Sequence, residues 1–443
     1  MWTCVSRNIE MQIVIAVPTV AAIGRLETPV CGVPLLRRII ATAERGGATK
    51  VLLVLPSDWP RVGLTRVLRW PAIESLFLDA VEIGRHFDPA KKEDWRAIAD
   101  CLDDRFLWIP CDYLPHRVPL AELLATAGRH PNAAVRFDEA GSETAASDFD
   151  RPAVLLKREL TVGRPQTFET ATVNGQAGVS THPDRKTRNV EIELVRRSGK
   201  VTDGIFSKFN RMLCRPAVRW LSHTRVTPNA VSAAGLFIAL LSGLCFAEGS
   251  WLWNLAGAAL FFLSGLIDEI DGMLARLKFQ ESPFGCWLET FADYSSYVLI
   301  FAGMTIGGYR RAGAAYALAG AALLFGCVLS FIVISIQRKL AAPADRPNEY
   351  SRIYLAALER DAANPVSRII RQLQFLTKKG VLIHYLLVFA LVNALPLFFF
   401  LTAVGANVAW IVTIYFNRRL FSPKRLRHSG PPLQYIDVRE VVK

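Results

Sequence analysis

Four acidic side chains with matched spacings lie within residues 266–296. Asp268 and Asp271 are three positions apart, and Glu289 and Asp293 are four positions apart. In a helix, such spacings place both members of a pair on one face, with Cβ atoms about 5–6 Å apart. Ligand sets made only of oxygen select hard cations such as Mg²⁺ or Mn²⁺ over zinc, and two such ions can stabilise the attacking and leaving oxygens at phosphorus. The spacing therefore predicts a two-metal site for displacement at phosphorus.

The residues between the two acidic pairs favour a bound nucleotide. Gly272 and Ala275 follow Asp271 and carry little or no side chain, so a ligand can approach the helix backbone there. Arg276 offers a planar cation to phosphate oxygens. Gly285 begins the next apolar segment, where a larger side chain would block the site.

Long apolar segments must position these groups, because the second half of the chain is far more hydrophobic than the first. A segment of about 20 apolar residues crosses a bilayer core of ~30 Å, and the stretch 381–416 is long enough for two crossings joined near 393–396. Six transmembrane helices are therefore predicted, at 228–247, 251–275, 285–307, 313–336 and twice within 381–416.

The positive charge of the chain supports this topology. Lys and Arg number 52 against 39 Asp and Glu, a net charge of +13, and many of the basic residues flank apolar segments, as in RLFSPKRLRH at 419–428. That placement is typical of positively charged cytoplasmic ends beside anionic headgroups, and it disfavours nucleic-acid binding. The four carboxylates, the basic segment 338–379 and both chain ends are then predicted on the cytoplasmic side.

The first half predicts a soluble α/β domain with a mostly parallel, Rossmann-like sheet. Short apolar runs at 13–17, 51–55, 106–109 and 153–156 are predicted strands, 35–47 is a predicted helix, and 139–151 and 171–189 are predicted loops. The apolar stretch 13–24 is interpreted as the start of this domain rather than a cleaved signal peptide. The eight cysteines form no CxxC pair, so neither a disulfide framework nor a zinc site is predicted.

A basic amphipathic helix is predicted just before the first apolar segment, over 205–221. Its two faces are formed by Phe206, Phe209, Met212, Leu213 and Trp220 on one side and Lys208, Arg211, Arg215 and Arg219 on the other. Such a helix can lie in the headgroup region, although a surface helix of the soluble domain has the same pattern. The predicted organisation is a soluble domain at 1–197, a juxtamembrane helix and linker at 198–226, a membrane domain at 227–420 and a basic cytoplasmic tail at 421–443.

The acidic stretch resembles the signature D-x2-D-G-x2-A-R-x8-G-x3-D-x3-D of the CDP-alcohol phosphotransferases. The matching residues are Asp268, Asp271, Gly272, Ala275, Arg276, Gly285, Glu289 and Asp293. The likeness extends over about 203–420 and includes the TPN at 227–229. It implies an integral-membrane enzyme, acting as a homodimer, that moves a phosphoalcohol from a CDP-alcohol donor to a hydroxyl acceptor and releases CMP. Phospholipid or related lipid synthesis in an inner membrane is the implied setting.

The resemblance also implies a role for each matching residue. Two Mg²⁺ or Mn²⁺ ions would bind the four carboxylates, and Asp293 would also be the general base for the acceptor hydroxyl. Contacts to the CDP moiety are implied for Asn229, Asp268, Gly272, Ala275, Arg276 and Gly285. One position departs from the pattern, because Glu289 stands where the family has Asp. The extra methylene could change the spacing of the metals, so loss of activity remains an alternative.

The acceptor is not named by the sequence, since inositol phosphate, glycerol phosphate and a lipid alcohol fit the signature equally. Four basic residues that flank the later spans could hold an acceptor phosphate, namely Arg338, Lys339, Lys378 and Lys379. Their alternative role is only to keep these segment ends on the cytoplasmic side.

The soluble domain resembles sugar-phosphate nucleotidyltransferases. The run Gly32 to Leu36 matches their G-x-P-L-L segment, whereas only Gly24 and Arg25 remain of the glycine-rich phosphate loop. Asp112, which follows a predicted strand, is the candidate nucleotide or metal ligand. The layout is similar to bifunctional inositol-phosphate cytidylyltransferase and di-myo-inositol phosphate phosphate synthases. The eroded loop indicates a degenerate binding or scaffolding module.

Three alternatives remain open at this point. The soluble domain could still be an active cytidylyltransferase, which would make the chain bifunctional. The carboxylates could instead line an ion path in a transporter, since acidic residues inside membrane helices also do this. The chain could also be an inactive membrane scaffold.

Overall fold

The structure is a computed structural model, in which the chain divides into two compact units. One unit ends at Arg197, and the other comprises Ser198–Lys443 together with the first two residues. The residues that the structure describes are 11–17, 24, 26–45, 48–56, 77–83, 87–138, 149–162, 168–172, 178–181, 186–199, 204–341, 353–354, 359, 364, 368 and 379–420.

The first unit is built on a seven-stranded sheet with the strand order β10-β8-β9-β6-β1-β4-β5. Neighbouring strands are parallel except where β9 pairs antiparallel with β6 and β8. The strands are β1 (Gln12–Ala16), β4 (Lys50–Pro56), β5 (Phe77–Ile83), β6 (Arg105–Trp108), β8 (Ala134–Asp138), β9 (Ala153–Leu156) and β10 (Phe168–Thr172). The predicted mostly parallel α/β fold is confirmed.

Apolar side chains of this sheet point alternately to two separate cores. Ile13 and Ile15 of β1 belong to one buried cluster, and Val14 and Ala16 belong to the other, as the period of two in a strand requires. Helices cover both faces of the sheet. They are α1 (Leu35–Arg45), α2 (Lys92–Ala97), α3 (Arg117–Arg129), α4 (Lys157–Val162) and α5 (Thr187–Arg197).

Two short antiparallel pairs complete the first unit, and one of them contradicts a predicted loop. The pairs are β2 (Pro29–Val30) with β3 (Val33–Pro34), and β7 (Tyr113–Pro115) with β11 (Gly178–Ser180). The strand β11 and the first residues of α5 lie within 171–189, so the predicted loop is wrong there. Val179 is 2% exposed and belongs to the first core, which explains why this polar stretch contains an ordered strand.

The second unit is helical in its described residues. Its helices are α6 (Ile205–Ser222), α7 (Pro228–Glu248), α8 (Trp251–Lys278), α9 (Pro283–Ala312), α10 (Ala314–Ala341), α11 (Lys379–Leu391) and α12 (Leu395–Leu420). Helix α6 is the predicted amphipathic helix. It exposes the predicted apolar face, with Met212 at 50% and Trp220 at 70% exposure, as a helix lying in a headgroup layer would do.

Three described helices are long and apolar enough to cross a membrane, over Pro228–Glu248, Ala314–Lys339 and Leu395–Tyr415, and Lys379–Leu391 is a shorter apolar helix. The unit is therefore that of an integral membrane protein. Helices α8 and α9 cover the second and third predicted spans, and the last apolar stretch breaks near Asn393, whose φ is 57°. The number of six spans stays a prediction.

Helices α7 and α9 cross at backbone contact. A Cβ added to Gly303 would lie 2.0 Å from the carbonyl oxygen of Gly243, and one added to Gly307 would lie 2.2 Å from that of Phe246. Small residues permit this closeness between membrane helices, where lipid supplies little hydrophobic force for association. The crossing fixes the position of α9, which carries one of the two acidic pairs.

Candidate active site

The four predicted metal ligands come together where α8 and α9 face each other. Helix α8 carries Asp268 and Asp271, and helix α9 carries Glu289 and Asp293. Asp271 is 4% exposed, and its carboxylate is repelled by those of Asp268, Glu289 and Asp293. The spacing argument thus identified four acids that the fold brings into one electrostatic cluster.

A serine on a third helix completes this cluster, and the sequence analysis missed it. The Ser232 hydroxyl on α7 donates a hydrogen bond of 2.5 Å to Oδ2 of Asp271. Ser232 stands three positions after Asn229, so both lie on one face of α7. That spacing was the signal available in the sequence. The hydrogen bond to Oδ2 is what makes Ser232 a residue that orients Asp271.

Lys379, the first residue of α11, inserts a positive charge into the cluster. Its Nζ lies 2.7 Å from Oδ1 of Asp293 and 3.3 Å from Oδ1 of Asp268. The sequence analysis proposed Lys379 for an acceptor phosphate, whereas the structure places it against two predicted metal ligands. Within the described residues, no three His, Cys, Asp or Glu side chains are arranged to hold one metal ion.

The cluster nevertheless fits hard divalent cations in ligand type and in charge. All four candidate ligands are carboxylates. Two of them, Asp268 and Asp293, already stabilise one cation between them, the Lys379 ammonium. Oxygen-only sites of this kind suit Mg²⁺ or Mn²⁺.

The predicted CDP-binding residues line the same end of the helices. A Cβ on Gly272 would lie 3.4 Å from a guanidinium nitrogen of Arg276, and one on Gly285 would lie 3.6 Å from Oδ1 of Asn229. Arg276 Nε donates a 2.5 Å hydrogen bond to the carbonyl oxygen of Ser198, which belongs to the same unit. The carbonyl of Ala275 accepts the Gln280 amide at the end of α8, so Ala275 contributes backbone and little bulk.

The remaining acceptor candidates are arranged differently from Lys379. Arg338 donates a hydrogen bond to the Thr290 hydroxyl and lies over the Trp287 ring, 5.3 Å from its centroid. Lys339 is exposed, and Lys378 lies outside the described residues. Their predicted role stays a prediction.

Helix α6 is anchored beside the cluster by a buried ion pair. Arg211 Nε donates to Oε2 of Glu269 at 2.8 Å, with side chains only 9% and 14% exposed. Asn210 Nδ2 donates to the carbonyl of Gly380, one residue after Lys379, at 3.1 Å. Arg211 thus lies on the predicted basic side of α6, and its charge is neutralised there by Glu269 of α8.

An apolar groove adjoins the cluster and has a volume of about 670 Å³. Tyr294, which follows Asp293 in the chain, is part of its wall. The groove lies between α7, α9 and α10 and is lined by Ala233, Leu236, Phe237, Leu240, Phe291, Tyr294, Ser295, Val298, Leu299, Cys327, Val328 and Phe331.

In the first unit, the predicted nucleotide or metal residues do not form a described cluster. The carbonyl of Asp112 accepts the Thr181 amide at 2.6 Å, which ties the β7 and β11 segments together. A Cβ on Gly24 would meet no heavy atom within 4 Å, and Arg25 lies outside the described residues. The predicted role of these residues in the soluble domain stays a prediction.

Comparison with known proteins confirms the family resemblance of the helical unit. Residues 225–415 match the family model of CDP-alcohol phosphatidyltransferase. The chain is 35% identical over 79 residues to archaetidylinositol phosphate synthase of Methanothermobacter thermautotrophicus, covering 18% of this chain and 39% of the relative. It is 33% identical over 120 residues to phosphatidylinositol phosphate synthase of Cutibacterium acnes, covering 26% and 56%.

A third relative is the bifunctional IPC transferase and DIPP synthase of Rubrobacter xylanophilus, at 34% identity over 107 residues, or 24% of each chain. The matches thus span less than two thirds of these relatives' own lengths.

Solved structures similar to the chain include HddC from Yersinia pseudotuberculosis, with TM-score 0.29 and 9% identity over 37% of this chain and 90% of that one. UTP-bound UGPase from Acinetobacter baumannii gives TM-score 0.27 and 12% identity over 38% and 87%.

Proposed function

We propose that this chain, whose residues 225–415 form a CDP-alcohol phosphatidyltransferase domain, transfers a phosphoalcohol from a CDP-alcohol to a hydroxyl acceptor and releases CMP. The observation that carries the proposal is the cluster of four carboxylates at the meeting of α8 and α9, with residues of the CDP-binding signature around it. The matched family motif and this geometry point to the same residues.

In the proposed reaction, the acceptor oxygen forms a bond to the β-phosphorus of the donor. The bond from that phosphorus to the bridging oxygen breaks, and the electron pair leaves with CMP. Asp293 takes the hydroxyl proton, because an alcohol must lose it to attack and a carboxylate within reach can accept it. Asp268, Asp271, Glu289 and Asp293 would hold divalent ions, which would supply positive charge to the reacting phosphate when bound.

The neighbouring residues bind and orient the nucleotide. Gly272 and Ala275 leave the backbone of α8 accessible, and the Arg276 guanidinium is close enough to that surface to reach a phosphate. Asn229 and Gly285 face each other across the same region. Ser232 holds the Asp271 carboxylate in one orientation through its short hydrogen bond.

A lipid-linked donor is supported by the apolar groove beside Asp293. A volume of about 670 Å³ lined almost entirely by apolar side chains suits hydrocarbon rather than a water-soluble alcohol. The names of two relatives, archaetidylinositol phosphate synthase and phosphatidylinositol phosphate synthase, make inositol phosphate the first acceptor to test. Glycerol phosphate and lipid alcohols are the next.

The membrane arrangement that goes with this activity has six spans. The carboxylates and the soluble unit lie on the cytoplasmic side, and two chains form a homodimer. Support comes from the basic residues after α10 and α12 and from the exposed apolar face of α6. For the soluble unit, we favour a binding or scaffolding role. Release of pyrophosphate from CTP and inositol phosphate would instead show a bifunctional enzyme.

The test is CMP release by the full chain in lipid nanodiscs. CDP-diacylglycerol, CDP-inositol and CDP-glycerol are each supplied with the three acceptors and with Mg²⁺ or Mn²⁺. We expect metal-dependent release with the lipid donor, and its loss in Asp271→Asn, whose amide cannot replace the anionic ligand. Absence of both release and donor binding across the whole panel would contradict the enzyme and favour a transporter or scaffold.

A further inference from the structure

The Lys379 side chain is buried among groups that a divalent ion would also use. It is 8% exposed, and its ammonium bonds one carboxylate of α8, Asp268, and one of α9, Asp293. Each of these acids belongs to a different predicted metal-binding pair. A single lysine therefore links the two halves of the carboxylate cluster.

The charge of Lys379 is stabilised by residues outside its own helix. Its described ion-pair and hydrogen-bond partners are Asp268 on α8 and Asp293 on α9. A buried ammonium is costly unless it is paired in this way. The two aspartates on other helices therefore stabilise the buried ammonium, and the ammonium neutralises part of their negative charge.

From this geometry we infer that Lys379 is a built-in counter-ion of the metal-free site. It neutralises Asp268 and Asp293 when no divalent ion is present, and it must leave them when an ion binds. The inference rests on the proposed function, because that proposal makes these aspartates metal ligands. Mg²⁺ approaches its oxygen ligands to about 2.0–2.1 Å, so an ion held between Asp268 and Asp293 would repel the nearby ammonium and compete with it for the same carboxylates.

The first test measures ion binding without turnover. The full chain in nanodiscs is stripped of metal, and free Mn²⁺ is followed by electron paramagnetic resonance during titration. Removing a positive charge this close to the site should tighten Mn²⁺ binding about tenfold or more in Lys379→Met. Lys379→Arg keeps the charge and should bind Mn²⁺ no more tightly than the wild type.

A matched control is available in Lys278, because Lys278 and Lys379 as whole residues are 8% and 9% exposed respectively. Its Nζ bonds the carbonyl oxygens of Thr224 and Val226 at 2.7 and 2.8 Å. Lys278→Met removes a buried lysine that holds a loop, so it should lower the unfolding temperature and leave Mn²⁺ affinity within about twofold of the wild type. Equal tightening in both methionine variants would overturn the specific role of Lys379.

A second measurement uses the wild type, so it does not depend on folding of a variant. A brief pulse of an amine-acetylating reagent is applied with and without Mg²⁺, and acetylation of Lys379 is quantified by peptide mass spectrometry. Displacement by the ion predicts a several-fold rise in acetylation of Lys379 and no change at Lys278. Unchanged or lower acetylation of Lys379 at saturating Mg²⁺ would overturn the inference.

The outcomes separate this inference from the proposed function. If no form of the protein binds Mn²⁺, the metal site itself is contradicted and the inference falls with it. If the wild type binds Mn²⁺ but Lys379→Met binds it equally or more weakly, only the counter-ion role is overturned, and the proposed transferase is unaffected.

Discussion

The two units of this chain differ in how many large apolar side chains they expose. In the first unit, two apolar cores cover the faces of the sheet, and large apolar residues are rarely exposed. In the second unit, apolar residues such as Leu318 and Leu252 are 77% and 68% exposed, while Asp271 and Lys379 are buried. A lipid-facing unit gains little from burying apolar side chains, so its interior can be used for charged groups that hold helices and do chemistry.

The largest effect is expected on CMP release. Replacing one carboxylate in each unit tests which of the two units carries the reaction. Asp293→Asn should lower CMP release by about 10²–10⁴-fold, since it removes the proposed general base. Asp103→Asn removes a carboxylate that is 43% exposed in the first unit and pairs only loosely with Lys50 at 3.8 Å. CMP release by Asp103→Asn should equal that of the wild type. A comparable loss in both variants would contradict the assignment of the chemistry to the second unit.

The second prediction compares a buried ion pair with an exposed one. Arg211→Met leaves Glu269 buried without its cation and should cost about 3–5 kcal/mol of unfolding free energy. Lys50→Met breaks the exposed pair with Asp103, where both side chains are over 40% exposed, and should cost only about 0.2–1 kcal/mol. Thermal unfolding in detergent gives both values.

A double variant sharpens that result. Arg211→Met with Glu269→Leu removes both charges and should recover most of the lost stability, because no unpaired charge remains. If the double variant is as unstable as Arg211→Met alone, the loss comes from packing and not from charge.

The third prediction concerns the helix crossing of the second unit. Gly303→Ala places a Cβ against the backbone of α7, which cannot move aside as a flexible side chain could. The variant should lose about 1–3 kcal/mol of stability. Gly405 is the matched glycine, because a Cβ there meets nothing within 4 Å. Gly405→Ala should be neutral or up to about 1 kcal/mol more stable, and equal losses at both sites would argue against backbone contact.

The smallest expected effect concerns the orientation of Asp271. Ser232→Ala removes the hydroxyl hydrogen bond and should lower CMP release about tenfold, the kinetic equivalent of ~1.4 kcal/mol and near the lower value of a bond to a charged group. It should also raise the metal concentration needed for half-maximal rate. Ser232→Thr retains the hydroxyl and should recover most of both losses. An unchanged metal requirement in Ser232→Ala would assign Ser232 to helix packing alone.

The sequence predicted the parts of this molecule that depend on local periodicity. Strand β1 and helix α1 were identified because their apolar residues repeat with the period of the element. The acidic pairs on α8 and α9 were identified because helical spacing alone places each pair on one face. The family signature then assigned both pairs to one site, and the geometry of the cluster agrees with that assignment.

The partners that were missed are all distant in sequence. Lys379 meets Asp293 across 86 positions, Arg211 meets Glu269 across 58, and Ser232 meets Asp271 across 39. No local pattern indicates which helices pack together. A lysine at the end of an apolar segment that pairs with carboxylates therefore cannot be distinguished by sequence from one that only marks the predicted cytoplasmic side. The strand β11 was missed for a related reason, since its pairing with β7 depends on a contact and not on its own composition.

The position of the apolar groove has a kinetic consequence. Its walls include Phe237 and Phe291, which are 59% and 55% exposed. If the proposed lipid-linked donor enters there, it arrives by diffusion in the plane of the bilayer. Its effective concentration is then its mole fraction among lipids rather than its amount per volume of solution. Adding inert phospholipid at constant total donor should therefore slow the enzyme, whereas adding buffer should not.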